Sequence, residues 1–173
     1  GLRVSELALG TMTFGEAWNW GASQQESQNI LDQFLDRGGN FVDTANVYTN
    51  GQSEEALGAA MGDRRGKIVL STKYTLARES GNPNAAGSHR KNLHESLHES
   101  LRRLNTDYID VYWVHIRDEH TPIDETMRAL DDAVRAGKIL YVAISDAPAW
   151  WVARANTLAE WKDWSRFLGL QIQ

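Results

Sequence analysis

Short apolar segments alternate with stretches of helical periodicity along the chain, at a spacing of roughly 30 residues, the size of a βαβ unit. Because this alternation is typical of βαβ units, the strands are predicted to pair in parallel. Each segment is apolar almost throughout, as expected of strands that are covered on both faces. The predicted fold is α/β with a parallel sheet, whose strands are LALGTM (7–12), NFVDT (40–44), KIVLSTK (67–73), YIDVYWVH (108–115), ILYVAIS (139–145) and FLGLQIQ (167–173).

Three of the intervening stretches carry recognisable helix signals. Ser23 and Glu26 are spaced as a capping box at the start of the first helix. The second helix is expected to begin at Thr121–Pro122, with proline in the first helical position. The third is expected to run from Ser88 and to bury an apolar stripe formed by Leu93, Leu97, Leu101 and Leu104.

The composition of the 173 residues limits the classes of function to consider. A hydrophobic fraction of 42% and a charged fraction of 24% are typical of one globular domain, here expected to be residues 1–173. The net charge of −5 argues against nucleic acid or an anionic membrane as partner. No apolar run reaches the roughly 18 residues of a membrane span, and the first residues show no signal-peptide pattern. We therefore expect a cytoplasmic protein, and the lack of cysteine excludes disulfides and thiolate chemistry.

The loops that follow strands are longer than the loops that precede them. Helix-to-strand links such as NTD are short, whereas the strand-to-helix links at 13–22 and 74–87 are long and rich in Gly, Asn and aromatic residues. Parallel α/β proteins build their sites from the loops at the carboxyl ends of the strands. This edge of the sheet is therefore the predicted working face.

Polar side chains replace apolar ones at this edge, strand after strand. Any single one has a structural explanation: an Asp at position 43, for example, can shape a turn by bonding to nearby backbone groups. Their recurrence at one edge instead predicts a functional site formed by Asp43, Tyr48, Lys73, His115, Ser145 and Gln171. The sequence contains no Gly-rich phosphate loop of either usual kind, which disfavours a Rossmann dinucleotide site.

Six segments resemble signatures of the aldo-keto reductase superfamily, in the family's order: LRVSELALGTMTFG, FVDTANVY, VLSTKY, SLRRLNTDYIDVYWVH, RAGKILYVAIS and LQIQ. The resemblance is strongest to the bacterial branch related to potassium-channel β subunits. It implies a (β/α)8 TIM barrel, of which this chain would be the N-terminal part, about six of the eight β/α units. It also implies NADPH-dependent reduction of an aldehyde or ketone.

The resemblance assigns roles to four of the strand-end residues. Tyr48 would be the general acid that protonates the carbonyl oxygen of a small-molecule substrate. A phenol holds its proton tightly at neutral pH, and the nearby cation of Lys73 would favour its release. Asp43 would hold this ammonium in a buried ion pair. His115 would orient the carbonyl group and stabilise the charge that develops on its oxygen.

The resemblance also implies an NADP site at the same edge. The positions that match the family's carboxamide-binding set are Ser145, Asp146 and Gln171. Many members carry Asn where this chain has Asp146. The first-strand residues expected to lie against the cofactor are Gly10, Thr11 and Met12. Trp18 and Trp20 are expected either to line the substrate mouth or to pack within their own loop.

The segment HESLH (94–98) matches the H-E-x-x-H pattern of zinc proteases. His94 and His98 lie four residues apart and could share a metal, with Glu95 as base. The same segment belongs to a local repeat whose leucines form the buried helix stripe. Both imidazoles would then lie on the outer surface without an obvious third ligand, so the interpretation without a metal is preferred.

Two other functions stay open at the level of the sequence. One is a regulatory or cofactor-sensing binding protein of the same fold, although the presence of all four matching residues, including His115, favours an enzyme. The other is an inactive truncated fragment, because the chain starts without Met and stops at the sixth strand. Six strands would leave unpaired edges, so self-association through the open sheet edges is expected.

Overall fold

A computed structural model describes residues 1–172. Within them, six parallel strands form one curled sheet, and their spatial order follows their order in the chain. Each strand pairs with the preceding one, so each connection crosses over the sheet through a helix. The strands are β1 (Ala8–Gly10), β2 (Phe41–Asp43), β3 (Val69–Tyr74), β4 (Ile109–Val114), β5 (Ile139–Ser145) and β6 (Phe167–Gln171).

The helices connect consecutive strands. They are α1 (Gln24–Asp36), α2 (Gln52–Met61), α3 (Arg90–Arg103), α4 (Ile123–Arg135) and α5 (Ala149–Lys162). Short 3₁₀ segments occur at Tyr48–Gly51, Gly62–Lys67 and Pro83–Ala85. The predicted α/β class is confirmed, and a sequential parallel sheet with crossover helices is the architecture of part of a (β/α)8 barrel.

The predicted start is correct for α1 and displaced by one or two residues for two other helices. The Ser23 side chain accepts a hydrogen bond from the Glu26 backbone N–H, and the Glu26 carboxylate accepts one from the Ser23 backbone N–H. The predicted capping box is therefore confirmed. Pro122 is the N-cap of α4 and not its first helical residue, because its ψ of 137° is extended. The third predicted helix begins at Arg90, two residues later than expected, because the His89 imidazole caps its first turn.

The main core lies between the sheet and its helices. Side chains alternate along β3, so that Leu70 and Tyr74 enter this layer, whereas Lys73 points to the opposite face. That opposite face holds a smaller apolar cluster of Val69, Val111, Trp113 and Ala143. The functional side chains of the strand ends therefore project from the inner face of the curled sheet.

Both edges of the sheet are open within residues 1–172, since β1 and β6 each pair on one side only. Leu7 beside β1 is 76% exposed, and Ile172 beside β6 is 64% exposed. A groove of about 510 Å³ lies next to β1, and its apolar lining includes Leu7, Leu9, Ile30 and Phe34. None of the helices in this part of the chain has the length and apolar character that a membrane span requires.

Candidate active site

Three neighbouring strands bring four of the predicted residues to one edge of the sheet. Asp43 is the last residue of β2, Lys73 lies near the end of β3, and His115 follows β4 directly. The parallel register sets Asp43 beside Ser71, so that Lys73 extends over the carboxylate. Tyr48 opens the 3₁₀ turn that follows β2. The site is thus built by strand pairing together with one loop.

The Lys73 ammonium is buried and has three hydrogen-bond partners. Its Nζ lies 2.5 Å from Oδ2 of Asp43, 2.7 Å from the Thr44 carbonyl oxygen and 3.4 Å from the Tyr48 hydroxyl oxygen. An ammonium has three hydrogens, so these partners use its full donor capacity. The side chain is 2% exposed, which means that the carboxylate rather than water compensates its charge. A fixed positive charge therefore stands beside the phenol.

The second oxygen of Asp43 is also occupied. Its Oδ1 accepts a hydrogen bond of 2.5 Å from the Ser71 hydroxyl. Ser71 shares a strand face with Lys73 because the two residues are two positions apart on β3. The sequence analysis did not select Ser71, although its position two residues before Lys73 was a usable signal.

Tyr48 lies on a turn whose backbone is tightly constrained. Thr49 and Asn50 have left-handed backbone conformations, with φ of 45° and 56°, which non-glycine residues seldom adopt. The Thr49 hydroxyl donates a buried hydrogen bond of 2.6 Å to the Phe14 carbonyl. Conformations of this kind persist only where the surroundings impose them. The surrounding structure therefore sets the direction of the tyrosine.

His115 faces Tyr48 edge-on, with ring centroids 5.9 Å apart and an interplanar angle of 83°. Burial, together with the charge of Lys73, lowers the pKa of His115 to about 4, and smaller effects of Asp43 and Asp146 oppose this shift. The imidazole is consequently neutral at physiological pH and carries a single N–H. Its Nδ1 is buried and has no hydrogen-bond partner among the described residues.

A cleft of about 250 Å³ joins these groups to the ends of β5 and β6. Among the described residues its lining consists of Tyr48, Lys73, His115, Ser145, Asp146, Gln171 and Ile172. The register pairs Ser145 with Gln171, and the Asp146 amide donates to the Gln171 carbonyl at 3.1 Å. A hydroxyl, a carboxylate and a primary amide thus meet in one place, with both donors and acceptors available. This set fits the carboxamide of a nicotinamide ring.

The residues predicted on the first strand lie outside the lining of this cleft within residues 1–172. Gly10 ends β1, and Thr11 and Met12 lie beyond it because the strand has only three residues. Thr11 is buried and donates to the Asp43 carbonyl through both its amide and its hydroxyl. Met12 is 46% exposed. Thr11 therefore supports the end of β2 from behind the carboxylate.

Trp18 and Trp20 pack against each other, with ring centroids 5.7 Å apart. Trp18 is half-buried and Trp20 is 55% exposed. Neither belongs to the cleft lining among the described residues. The geometry agrees with packing within the loop, and a contact with substrate stays a proposal.

The HESLH segment lies on α3, where both imidazoles are exposed. The His94 and His98 rings are 4.2 Å apart, and His98 Nδ1 lies 2.8 Å from the His94 carbonyl oxygen. Glu95 forms ion pairs with Arg78 and Lys91. Within residues 1–172 no cluster of three His, Cys, Asp or Glu side chains has a geometry that could hold a metal ion.

Comparison with known proteins gives a family match and a set of close relatives. The Aldo/keto reductase family profile matches residues 6–173. An aryl-alcohol dehydrogenase of Pestalotiopsis microspora is 46% identical over 167 residues, covering 91% of this chain and 44% of that protein. A norsolorinic acid reductase of Aspergillus flavus is 46% identical over 169 residues, which cover 92% of this chain and 44% of that protein. An NADP(+) aryl-alcohol dehydrogenase of Phanerodontia chrysosporium is 41% identical over 173 residues, which cover 92% of this chain and 45% of that protein.

These relatives are fungal, so they support the superfamily and do not show the bacterial branch that the sequence suggested. The chain spans a little under half the length of the curated relatives it matches. The family profile, in contrast, covers almost all of its residues. On this match, together with the sequential parallel sheet, the chain belongs to the aldo/keto reductase family.

Proposed function

We propose that the protein reduces the carbonyl group of an aldehyde or ketone to an alcohol with a nicotinamide cofactor, and that the cofactor is NADP(H). One observation carries the proposal: a buried ammonium, paired with Asp43, lies 3.4 Å from the Tyr48 hydroxyl and next to a cleft. Relatives named as reductases or dehydrogenases support carbonyl–alcohol chemistry, and one of them is named for NADP(+).

Tyr48 is the proton donor in this proposal. Its hydroxyl transfers a proton to the carbonyl oxygen, and the phenolate that remains is stabilised by the Lys73 ammonium 3.4 Å away. The attraction is strong because the ammonium is shielded from water. Asp43 and the Thr44 carbonyl hold the ammonium in place, so that no reorganisation is needed when charge develops.

His115 orients the substrate. Its pKa of about 4 keeps the ring neutral, so that it offers an N–H to the carbonyl oxygen without adding a second positive charge beside Lys73. A hydrogen bond to that oxygen strengthens as negative charge builds up on it. The proton transfer and the hydrogen bond thereby act on the same atom from two side chains.

The cofactor supplies the hydride that reaches the carbonyl carbon. Ser145, Asp146 and Gln171 hold its carboxamide through the donors and acceptors at the ends of β5 and β6. Gly10, Thr11 and Met12, which lie outside the cleft lining among the described residues, would contact a more distant part of the cofactor. The ionised carboxylate of Asp146 can accept hydrogen bonds but cannot donate them, whereas the Asn side chain of many family members does both. The carboxamide amino group is therefore the partner expected for Asp146.

The substrate class is proposed to be aromatic carbonyl compounds. The names of two relatives refer to aryl alcohols, and a third is named for norsolorinic acid. Trp18 and Trp20 offer flat apolar surface on the loop after β1, and Trp20 is 55% exposed. Stacking on such surface favours a ring over an aliphatic chain.

The proposal is tested by incubating the intact protein with NADPH or NADH and a series of aryl and alkyl aldehydes. Consumption of reduced cofactor is followed by its absorbance, and the alcohol product is identified by mass spectrometry. The expected result is NADPH-dependent formation of aryl alcohols. Failure to reduce any carbonyl with either cofactor would contradict the proposed activity.

A further inference from the structure

Glu54 is a fully buried carboxylate that lies outside the cleft, on the first turn of α2. Its Oε1 accepts the Thr72 hydroxyl at 2.7 Å, and its Oε2 lies 2.9 Å from Nη1 of Arg103. Burial raises the pKa of Glu54, and the hydrogen bond from Thr72 and the charge of Arg103 oppose that shift. A buried pair of this kind gives little net stability compared with apolar packing, so its position in the fold is informative.

Arg103 connects Glu54 to the loop that carries Tyr48. Its Nη1 also donates to the Asn46 carbonyl oxygen at 3.1 Å, two residues before Tyr48. Its guanidinium lies against Gly51, where a Cβ would come within 3.0 Å of Cζ and Nε. The arginine therefore touches the loop on both sides of the tyrosine.

The same cluster also reaches the residue that carries the ammonium. Thr72, which binds Glu54, directly precedes Lys73 on β3. The backbone N–H of Asn46 donates to the Lys73 carbonyl oxygen at 3.1 Å. The Glu54–Arg103 ion pair thus forms hydrogen bonds both to the loop after β2, through the Asn46 carbonyl, and to the end of β3, through Thr72. Their relative placement decides how far the tyrosine hydroxyl lies from the ammonium.

We infer that Arg103 and Glu54 are positioning residues, which set the distance between the Tyr48 hydroxyl and the Lys73 ammonium through the backbone of residues 44–51. Neither side chain belongs to the cleft lining among the described residues, so they act through the loop and not on the substrate. The strained conformations of Thr49 and Asn50 need such an external hold. The kinetic part of this inference rests on the proposed function, whereas the placement of the loop does not.

The first experiment replaces Arg103 by Met in the intact protein, with Arg102→Met as matched control. Arg102 is the exposed neighbour on the same helix, so its replacement removes the same charge without touching the loop. Hydrogen–deuterium exchange across residues 44–51 is expected to accelerate several-fold in Arg103→Met and to stay unchanged in Arg102→Met. Equal exchange in both variants would overturn the inference, whatever the enzyme activity is.

The second experiment separates positioning from stability. In Arg103→Met, kcat is expected to fall by about 10²-fold, the loss that a displacement of about 1 Å can cause, while the dissociation constant of NADPH stays unchanged. The double variant Glu54→Gln/Arg103→Met removes the uncompensated carboxylate, so its thermal stability is expected to recover while kcat stays low. A kcat that recovers together with stability would show a merely structural role and overturn the inference. A wild-type protein that reduces no carbonyl would contradict the proposed function. The exchange comparison would still test whether Arg103 holds residues 44–51 in place.

Discussion

Lys73 is buried, with a side chain that is 2% exposed, and its positive charge depends on Asp43 for compensation. Replacing Lys73 by Met is therefore expected to lower activity and stability together. Removing one member of a buried ion pair typically costs about 3–5 kcal/mol. Adding Asp43→Asn should recover part of the stability and none of the activity. Chemical denaturation of both variants measures this, and equal stability of the single and double variants would contradict the pairing.

Tyr48 can be tested without disturbing the packing of its ring. Tyr48→Phe keeps the edge-on contact with His115 and removes only the hydroxyl, so the fold is expected to be unchanged. Carbonyl reduction should fall by about 10²–10⁴-fold, the usual contribution of a general acid. Tyr141→Phe, at a tyrosine of β5 outside the cleft lining among the described residues, is the control and should retain full turnover. A Tyr48→Phe protein with near-normal turnover would assign the proton to another group.

His115 gives the free energy of unfolding a defined dependence on pH. Its pKa is about 4 in the folded protein, below its ordinary value of 6.5, so between these values the unfolded chain binds the proton more readily. The stability linked to His115 is fully present above pH 6.5 and is lost as the pH falls toward 4. His115→Gln should flatten this part of the curve, and the same replacement at the exposed His120 is the control. Superimposable curves for wild type and His115→Gln would refute the assignment.

The strand-end pattern predicted which side chains meet because a parallel sheet gathers the carboxyl ends of its strands at one edge. Lys73 contacts Asp43 for this reason, and it contacts Tyr48 because the loop after β2 leaves the sheet at the same edge. The contact of Arg103 with the Asn46 carbonyl joins residues 57 positions apart, and it arises from the packing of α2 against α3. No local spacing carries that information, so it could not be predicted from the sequence.

At the level of the elements, α2 packs closely against the end of α3 at Gly58. A Cβ at this position would lie 2.4 Å from the Arg103 carbonyl oxygen, a distance that two atoms cannot share. Gly58→Ala is expected to destabilise the protein by about 1–3 kcal/mol through overpacking, although alanine is favoured by about 1 kcal/mol in a helix. Thermal denaturation measures the loss, and a variant more stable than wild type would contradict the close approach.

The exposed neighbour on the same helix provides the matched control for Gly58. Ala59→Gly changes the residue type in the opposite direction without any contact at stake. It is expected to cost about 1 kcal/mol, from helix propensity alone. A destabilising effect of both changes would show that packing dominates at one position and propensity at the next.

Helix signals in the sequence were clear only where the apolar stripe was narrow. The α3 leucines form such a stripe, and all of them are buried. In α5, by contrast, Trp151 is buried while Trp150 and Trp161 are 57% and 83% exposed, so apolar residues on several sides obscure the period. In α2, the mid-helix Gly58 and the preceding tyrosine turn weakened the pattern. For both stretches the sequence therefore predicted a helical connection without indicating where the helix begins or ends.

At the level of the whole molecule, the open edges of the sheet determine how residues 1–173 should behave when they are expressed alone. β1 and β6 present unpaired backbone groups within the described residues, next to exposed Leu7, Leu168 and Ile172. Such edges pair with other chains, so self-association is expected. Light scattering over a range of concentrations measures it. The substitutions Leu7→Lys and Leu168→Lys should reduce self-association. A monodisperse wild-type monomer would contradict the expectation.

The order of the strands also bears on how the site arises during synthesis. β2, β3 and β4 are consecutive in the chain and adjacent in the sheet, so Asp43, Tyr48, Lys73 and His115 all come from residues 43–115. Translation proceeds at about 5–20 residues per second, and amino-terminal segments leave the ribosome first. The ion pair between Lys73 and Asp43 therefore has the time to form while β5 and β6 are still being translated. Both charges come from strands that are already synthesised, so their pairing does not depend on the later strands.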